Sequence, residues 1–513
     1  MNKYIFSFFL IVFAINLNSQ EILFEKKVNS NVFTDIYSGS IETLPIIDQI
    51  NNKLAIFLIN DNDILGLDFN NNFELQNNYI TKITEKKYSV LLGYSKDETS
   101  YSLFFTNGKK KKIYSKTIDF TKKKNSEVIY PFKLKDEFFL SSINKNNKFY
   151  LLTVKKSSSI LLIRIFSGNK LLKTEKIDLS SYPFSKPPYT KLSSVLLAGT
   201  NQLSIQKIES DSPNSLEIAS RKSKLYCFDN KIYITINNLR SNTKLITIDL
   251  DSFEFKVQLF NNGVIDCFRK SSEKANSFLY KNTLFQIKGC ASELYFTLYD
   301  IETNKLIKDY RVQRDEEIIF KNSELIYKKP KAFGGQKEIE LETTPQILNK
   351  ISSSDIAISV YETNKLLEIT IGGHKEVGGG GGGMMMGGGM MMGGGSINTM
   401  GASVSYAPTY YYNPVMYGYS SYSNSKQVHF KTLLDKSNYN HLSGKTYKSS
   451  ISKIDDFKEE HIEPKNLFEK IFPFDDDDKT DITNKTIFKV DDYFVFGYYD
   501  KEQKKYYLRK FLN

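Results

Sequence analysis

Side chains suited to acid–base or metal chemistry are sparse in this chain. It has four histidines, His374, His429, His441 and His461, and no two of them stand at a ligand spacing. The Gly-x-Ser-x-Gly nucleophile elbow, the His-Glu-x-x-His zinc helix and the Gly-x-x-x-x-Gly-Lys phosphate loop are all absent. Carboxylates cluster at Asp61/Asp63, Asp455-Asp456, Asp475 to Asp478 and Asp491-Asp492. Asp61-Asn62-Asp63-Ile64-Leu65-Gly66 has the outline of a calcium loop, but Leu65 stands where an oxygen ligand is required and no Glu takes the twelfth position. A turn between strands is the expectation there. Asp475 to Asp478 follow Pro473 and read as a solvated loop, with a weak calcium site as the lesser alternative. Carboxylates for glycoside hydrolysis need only meet in space, so spacing along the chain does not exclude them. The lack of Trp weakens a sugar-stacking case, although Tyr and Phe also stack. No catalytic residue, no metal ligand set and no cofactor is assigned.

One segment is unlike the rest. From Gly372-Gly373-His374 the chain passes through Gly378 to Gly383, then Met384, Met385 and Met386, three glycines, Met390, Met391 and Met392, and three more glycines. A Tyr- and Ser-rich tail follows, with Tyr410, Tyr411 and Tyr412 at its centre. Every methionine other than Met1 lies between 384 and 416, so the folded remainder is expected to use none. Glycine runs lose the most backbone entropy on ordering, which predicts a mobile loop. It interrupts strand-like Leu366 to Ile371 and Val428 to Leu434, as a loop between neighbouring strands would. Four readings apply: a low-complexity expansion without a specific role; an adaptable apolar contact built from Met and Tyr, seated on an envelope protein or a membrane interface; a soft-metal site for Cu(I), with His374 and His429 as added ligands; and self-association. Met triplets point adjacent thioethers apart, which counts against copper.

Cys227, Cys267 and Cys290 permit one disulfide with one thiol left over, and three separate buried thiols are equally compatible. The formal charge of +12 gathers partly in Lys109 to Lys112, Lys116 and Lys122 to Lys124. Lysines around turns and strand ends blunt sheet edges; attraction to anionic envelope polymers or lipid head groups is the functional alternative. At the N-terminus, Met1-Asn2-Lys3 precede an apolar run from Tyr4 to Ile15, and Asn16 and Asn18 end it well short of a membrane span. That pattern predicts a secretory signal over residues 1–19.

Short β-branched and aromatic runs between Asn, Asp, Gly and Ser turns must position whatever function the chain has. Leu54 to Ile59 with Ile64 to Phe69 predict one hairpin, and Tyr101 to Phe105 with Ile113 and Tyr114 another, turned by Asn107-Gly108. Lys148 to Val154, Ile160 to Phe166 and Lys170 to Ile177 predict a three-stranded unit, and similar units recur to Tyr493–Tyr499 with Lys505–Phe511. Helical periodicity is limited to Pro345 to Ser352 and Pro464 to Ile471. Asn-Lys opens strands at Asn52-Lys53, Asn147-Lys148 and Asn230-Lys231, and Glu302-Thr303-Asn304-Lys305-Leu306 recurs at 362–366. Units return at roughly 45 to 80 residues, loosely matching the four-stranded repeat of a β-propeller.

On these strand starts and the turn Asp300-Ile301-Glu302-Thr303-Asn304-Lys305, the chain resembles the broad class of secreted bacterial β-propeller proteins. The resemblance implies an all-β propeller of roughly six to eight blades. It also implies that residues 490–513 pair near residues 22–35. Two β-sandwich domains split near residue 215 are the alternative. The expected organisation is a signal peptide at 1–19, blades over 20–371, a low-complexity loop over 372–427, and closing strands over 428–513. The expected function is an exported, non-enzymatic binding or scaffold protein of the periplasm or outer membrane, with an extracellular location as the alternative, and with Met384–Met386, Met390–Met392 and Tyr410–Tyr412 as partner contact. The expected partner is another envelope protein, with membrane-interface contact possible, no transmembrane span and no nucleic acid. A propeller-based hydrolase or lyase acting on an extracellular polymer is the alternative, and copper binding a further one.

Overall fold

The computed structural model describes residues 20–27, 42–48, 53–60, 62–132, 134–198, 202–203, 205–330, 336–363, 366–376, 413–416, 425–446, 449–462 and 482–512. Strand outweighs helix by 57% to 9%, so the class is all-β. Among the described residues the strands form seven sheets of four or five strands and one two-stranded ladder. In chain order the sheets span 42–82, 90–129, 137–178, 205–261, 274–313, 325–435 and 482–512, the last completed by Ile22–Lys27. No described helix is long and apolar enough to cross a membrane.

Burial explains why some strands read clearly in the sequence. Lys148–Lys155 and Ile160–Ser167 are middle strands with apolar contacts on both faces, so their apolar runs are continuous. Outer strands such as Leu75–Lys82 cover one face only and alternate half-buried with exposed residues. The cores lie between consecutive sheets. One apolar cluster joins the first and second sheets through Phe57, Leu103 and Tyr114, and another joins the second and third through Phe104, Phe149 and Phe166. Leu54, Ile56 and Leu58 of the first sheet pack with Val495, Tyr506 and Leu508 of the seventh.

Turn chemistry fixes the register. Asn146-Asn147 and Asp229-Asn230 carry paired positive φ angles of 50° and 60°, and 46° and 55°. These are two-residue turns of the kind that follow the twist of a hairpin, so the Asn-Lys strand starts are the second turn residue and the first strand residue. The Asn107-Gly108 turn departs from expectation: the positive φ falls on Lys110, at 50°. Asn107 instead acts through its side chain, whose Oδ1 accepts from the amides of Lys111 at 2.9 Å and Lys112 at 3.2 Å.

Three features lay beyond the strand pattern. The sixth sheet takes its outer strands, Leu325–Pro330 and Gln336–Leu341, from chain that precedes its inner strand Asp355–Thr363. The helix Thr344–Ser352 is where periodicity predicted one, with Ile347, Leu348 and Ile351 buried. Another helix, Ser450–His461, was not expected. Ser449 caps it by accepting from the Ser452 amide, and Phe457 packs edge-on to Phe496 and Phe511 of the seventh sheet. Pro464 to Ile471 lie outside the described residues. Cys267 and Cys290 form a disulfide, and Cys227 is a free thiol that burial pushes up to about 11.

Candidate functional site

Several neighbouring sheets meet through one strand of each, here called its first strand: Glu42–Asp48 with Val90–Lys96, Ser223–Phe228 with Lys274–Tyr280, and Lys274–Tyr280 with Asp355–Thr363. Near the beginnings of these strands, Lys224 Nζ donates to Ser277 O at 2.9 Å and Asn276 Nδ2 to Ile356 O at 2.9 Å. Near their ends, Asp48 of the first sheet pairs with Lys96 of the second, and Tyr280 of the fifth donates its hydroxyl to Glu362 of the sixth. The molecule thus has a side where first strands begin and a side where they end.

A group of titratable side chains lies on the ending side. Asp48 and Lys96 are exposed by only 1% and 4% at their side chains. The Tyr94 amide donates to Asn144 Oδ1 at 2.8 Å, and its phenol is pushed up by burial first and then by the charges of Asp48 and Glu209. Glu209 lies just past the short strand Ile205–Lys207, which runs parallel to Ser223–Phe228. Burial, then Asp211, raises the Glu209 carboxyl to about 7 against the opposing pull of Lys207, Lys145 and Lys489. Lys489 Nζ donates to Asp211 O at 2.8 Å. This arrangement can hold one carboxyl that exchanges a proton near neutrality within a frame of lysines. Asp48 is engaged by Lys96 instead.

Glu362 binds Tyr280, Lys281 Nζ at 2.6 Å and Lys436 together. Burial acts to raise its carboxyl, but hydrogen bonds from the two lysines and the tyrosine outweigh it and hold the group at about 2. A depressed folded-state value stabilises the fold at pH above the ordinary carboxylate range and loses that contribution as pH falls toward 2. We expect Glu362→Gln to be less stable than the native chain at pH 7, with the difference shrinking between pH 4.5 and 2, as read from paired thermal melts. A difference that stayed constant over that window would refute the assignment.

The residues singled out from sequence fall elsewhere. Met384, Met385, Met386, Met390, Met391, Met392, Tyr410, Tyr411 and Tyr412 lie outside the described residues. The root of their segment is defined: Leu366–Glu376 and Ser425–Asp435 are paired neighbours, from Leu366 opposite Asp435 to Glu376 opposite Ser425. The strands therefore run past the sequence boundaries of 372 and 427. The expectation that the core would contain no methionine is corrected. Met416 is buried at 5% exposure in the apolar cluster with Tyr361, Ile454 and Phe496, and Asn413 Nδ2 donates to Thr486 Oγ1 at 3.0 Å. Asn413–Met416 thus fills space between the sixth and seventh sheets, and the methionine count alone carried no sign of it.

The histidines have separate packing roles. Burial, then Lys328 and Lys431, depresses His429 to about 3, so it is neutral. His374 Nε2 lies 3.8 Å from Glu217 Oε2, and His441 Nε2 lies 3.0 Å from Asn322 Oδ1. His461 Nδ1 approaches Phe457 O at 3.1 Å. Among the described residues no group of three or more His, Cys, Asp or Glu side chains comes together. Sequence reasoning missed Glu209, Lys207, Lys145 and Lys489, because their proximity arises from the packing of separate sheets.

No family model matches the chain, and no curated protein matches it. Among solved structures, cobalt-substituted Synechocystis apocarotenoid oxygenase aligns at 8% identity with a TM-score of 0.28, covering 55% of this chain and 63% of that one. An uncharacterized protein of Listeria monocytogenes EGD-e aligns at 12% identity and TM-score 0.29, covering 65% of this chain and 92% of that one. The chain spans less than two thirds of the length of the apocarotenoid oxygenase chains it matches. Likenesses this slight carry no argument about fold or function.

Proposed function

We propose that this chain is an exported, non-enzymatic binding or scaffold protein of the cell envelope, built as a seven-bladed β-propeller that presents the Gly/Met/Tyr segment to a partner. The seven consecutive sheets, the contact of the seventh with the first, and the N-terminal strand that completes the seventh support the architecture. The observation that supports the function is the pairing of Leu366–Glu376 with Ser425–Asp435, the strands that flank residues 377–424 in the sequence. The strands flanking the insertion keep their register, so the frame supports the segment without being divided by it. Met and Tyr within it are residue types that adapt to varied apolar surfaces.

The second reading, a propeller-based hydrolase or lyase, is favoured by Glu209, whose carboxyl titrates near neutrality. Such chemistry requires a second carboxylate beside it; Asp48 is held by Lys96, and Asp211, whose charge acts on Glu209, lies 4.0 Å from Lys489 Nζ.

The test is an affinity pull-down from native envelopes with the full chain and a version lacking residues 378–412, which keeps Asn413–Met416 in the core. We expect the full chain to recover a defined envelope protein and the shortened chain to lose it at least tenfold. Equal recovery by both would transfer binding to the sheets, and recovery by neither would overturn the scaffold reading in favour of an activity screen on Glu209→Gln.

A further inference from the structure

The beginning side of the first strands has a distinct surface. The most exposed large apolar side chains among the described residues are Phe268 at 85%, Val264 and Ile319 at 82% and Tyr189 at 66%. Phe268, Val264 and Tyr189 lie in linkers that run from the last strand of one sheet to the first strand of the next, and so on this side, whereas Ile319 precedes the outer strand Leu325–Pro330. Other exposed apolar residues, such as Ile80, Ile129 and Leu259, lie on outer strands and are less exposed.

Hydrogen bonds join these linkers into one arc. Asn238 Nδ2 donates to Phe184 O at 3.0 Å, linking residues 179–198 to the hairpin after Ile236. Arg240 Nη1 of that hairpin donates to Lys270 O at 3.0 Å. Arg311 Nη2 donates to Val264 O at 3.1 Å, and the Cys267–Cys290 disulfide fixes the residue before Phe268 to the next hairpin. Phe268 therefore projects from a braced loop.

The charge around the arc is predominantly positive. Lys186, Lys191, Arg240, Arg269 and Lys270 are exposed along it. Residues 179–198 and 237–241 contain no acid, Glu273 is paired with Lys288 at 3.4 Å, and Asp266 is the exposed carboxylate. Ile319 is excluded from the patch, because Asp315, Glu316 and Glu317 beside it end the positive surface.

We propose that this arc docks onto an anionic lipid surface, with Phe268, Val264 and Tyr189 entering the interface and the surrounding Lys and Arg facing lipid phosphates. A soluble polyanion would satisfy the positive charge but leave the most exposed apolar side chains in water. An anionic bilayer satisfies both, since its interface accepts aromatic rings and its head groups attract basic residues.

The test is co-sedimentation of the full chain with vesicles of phosphatidylglycerol and phosphatidylcholine, and with phosphatidylcholine alone. We expect phosphatidylglycerol-dependent binding that weakens with salt. It should fall about tenfold or more in Arg269→Glu/Lys270→Glu and by a similar factor in Phe268→Ser. These residues are exposed, so melting temperature should be unchanged in both variants, which separates lost docking from lost folding. Absence of phosphatidylglycerol-dependent binding overturns the proposal. So does binding that is indifferent to Phe268→Ser and competed away by dextran sulfate, which would identify a polyanion site. Neither result bears on the envelope pull-down, because the residues changed lie outside 378–412.

Discussion

Asp48→Ala should cost roughly 3–5 kcal/mol of folding stability, because it strands a lysine that has almost no access to water. Lys96 is 4% exposed at its side chain and Asp48 1%, and the pair ties the first strand of the first sheet to that of the second. Removing one partner leaves a buried charge uncompensated, whereas removing both takes away the charge together with its counter-ion. The double variant Asp48→Ala/Lys96→Met should therefore recover much of the loss. Chemical denaturation of the four chains in a double-mutant cycle measures the coupling. A loss below about 1 kcal/mol for Asp48→Ala would mean that Lys96 reaches solvent and that the pair is incidental.

Gly372→Val should disable the hairpin from which the long insertion departs. A Cβ at Gly372 would collide with the Val428 carbonyl oxygen and stand 2.9 Å from His429 Cα, both backbone atoms of the adjoining strand. Flexible side chains can yield to such contacts, but two paired strands between other strands of a sheet have little room to part. We expect a loss of about 3 kcal/mol or more. The control is Gly108→Val, where a Cβ meets nothing within 4 Å and the change should stay within about 0.5 kcal/mol. Thermal melts, with amide exchange across 366–376 and 425–435, provide the readout. Equal stability of the two variants would contradict the described pairing.

The strand pattern was legible because burial on one or two faces imposes its own residue pattern, as in Lys148–Lys155 against Leu75–Lys82. The expected proximity of 490–513 to the beginning of the chain is realised as Ile22–Lys27 on Lys505–Leu512. Other parts depended on partners that no local window contains. Ile451, Ile454 and Phe457 have helical spacing, but the short polar stretches around them masked it. Met416 carried no mark of being core, and Asn107-Gly108 suggested a glycine angle that the backbone places at Lys110. Glu209 and its lysines are gathered from strands far apart in sequence, so only the packing of sheets reveals them. The disulfide belongs here too, since three cysteines allowed several outcomes and geometry selects Cys267 with Cys290.

The seventh sheet joins the earliest described strand to the latest. Glu25 and Lys505 lie 480 positions apart in sequence and 3.3 Å apart in space. During synthesis Ile22–Lys27 therefore emerges before the other described strands and gains its partner last, and until then its pairing edge stays open. Any chain interrupted before Lys505 leaves Ile22–Lys27 without that partner permanently, which gives a quality-control protease an unpaired strand by which to recognise an unfinished molecule.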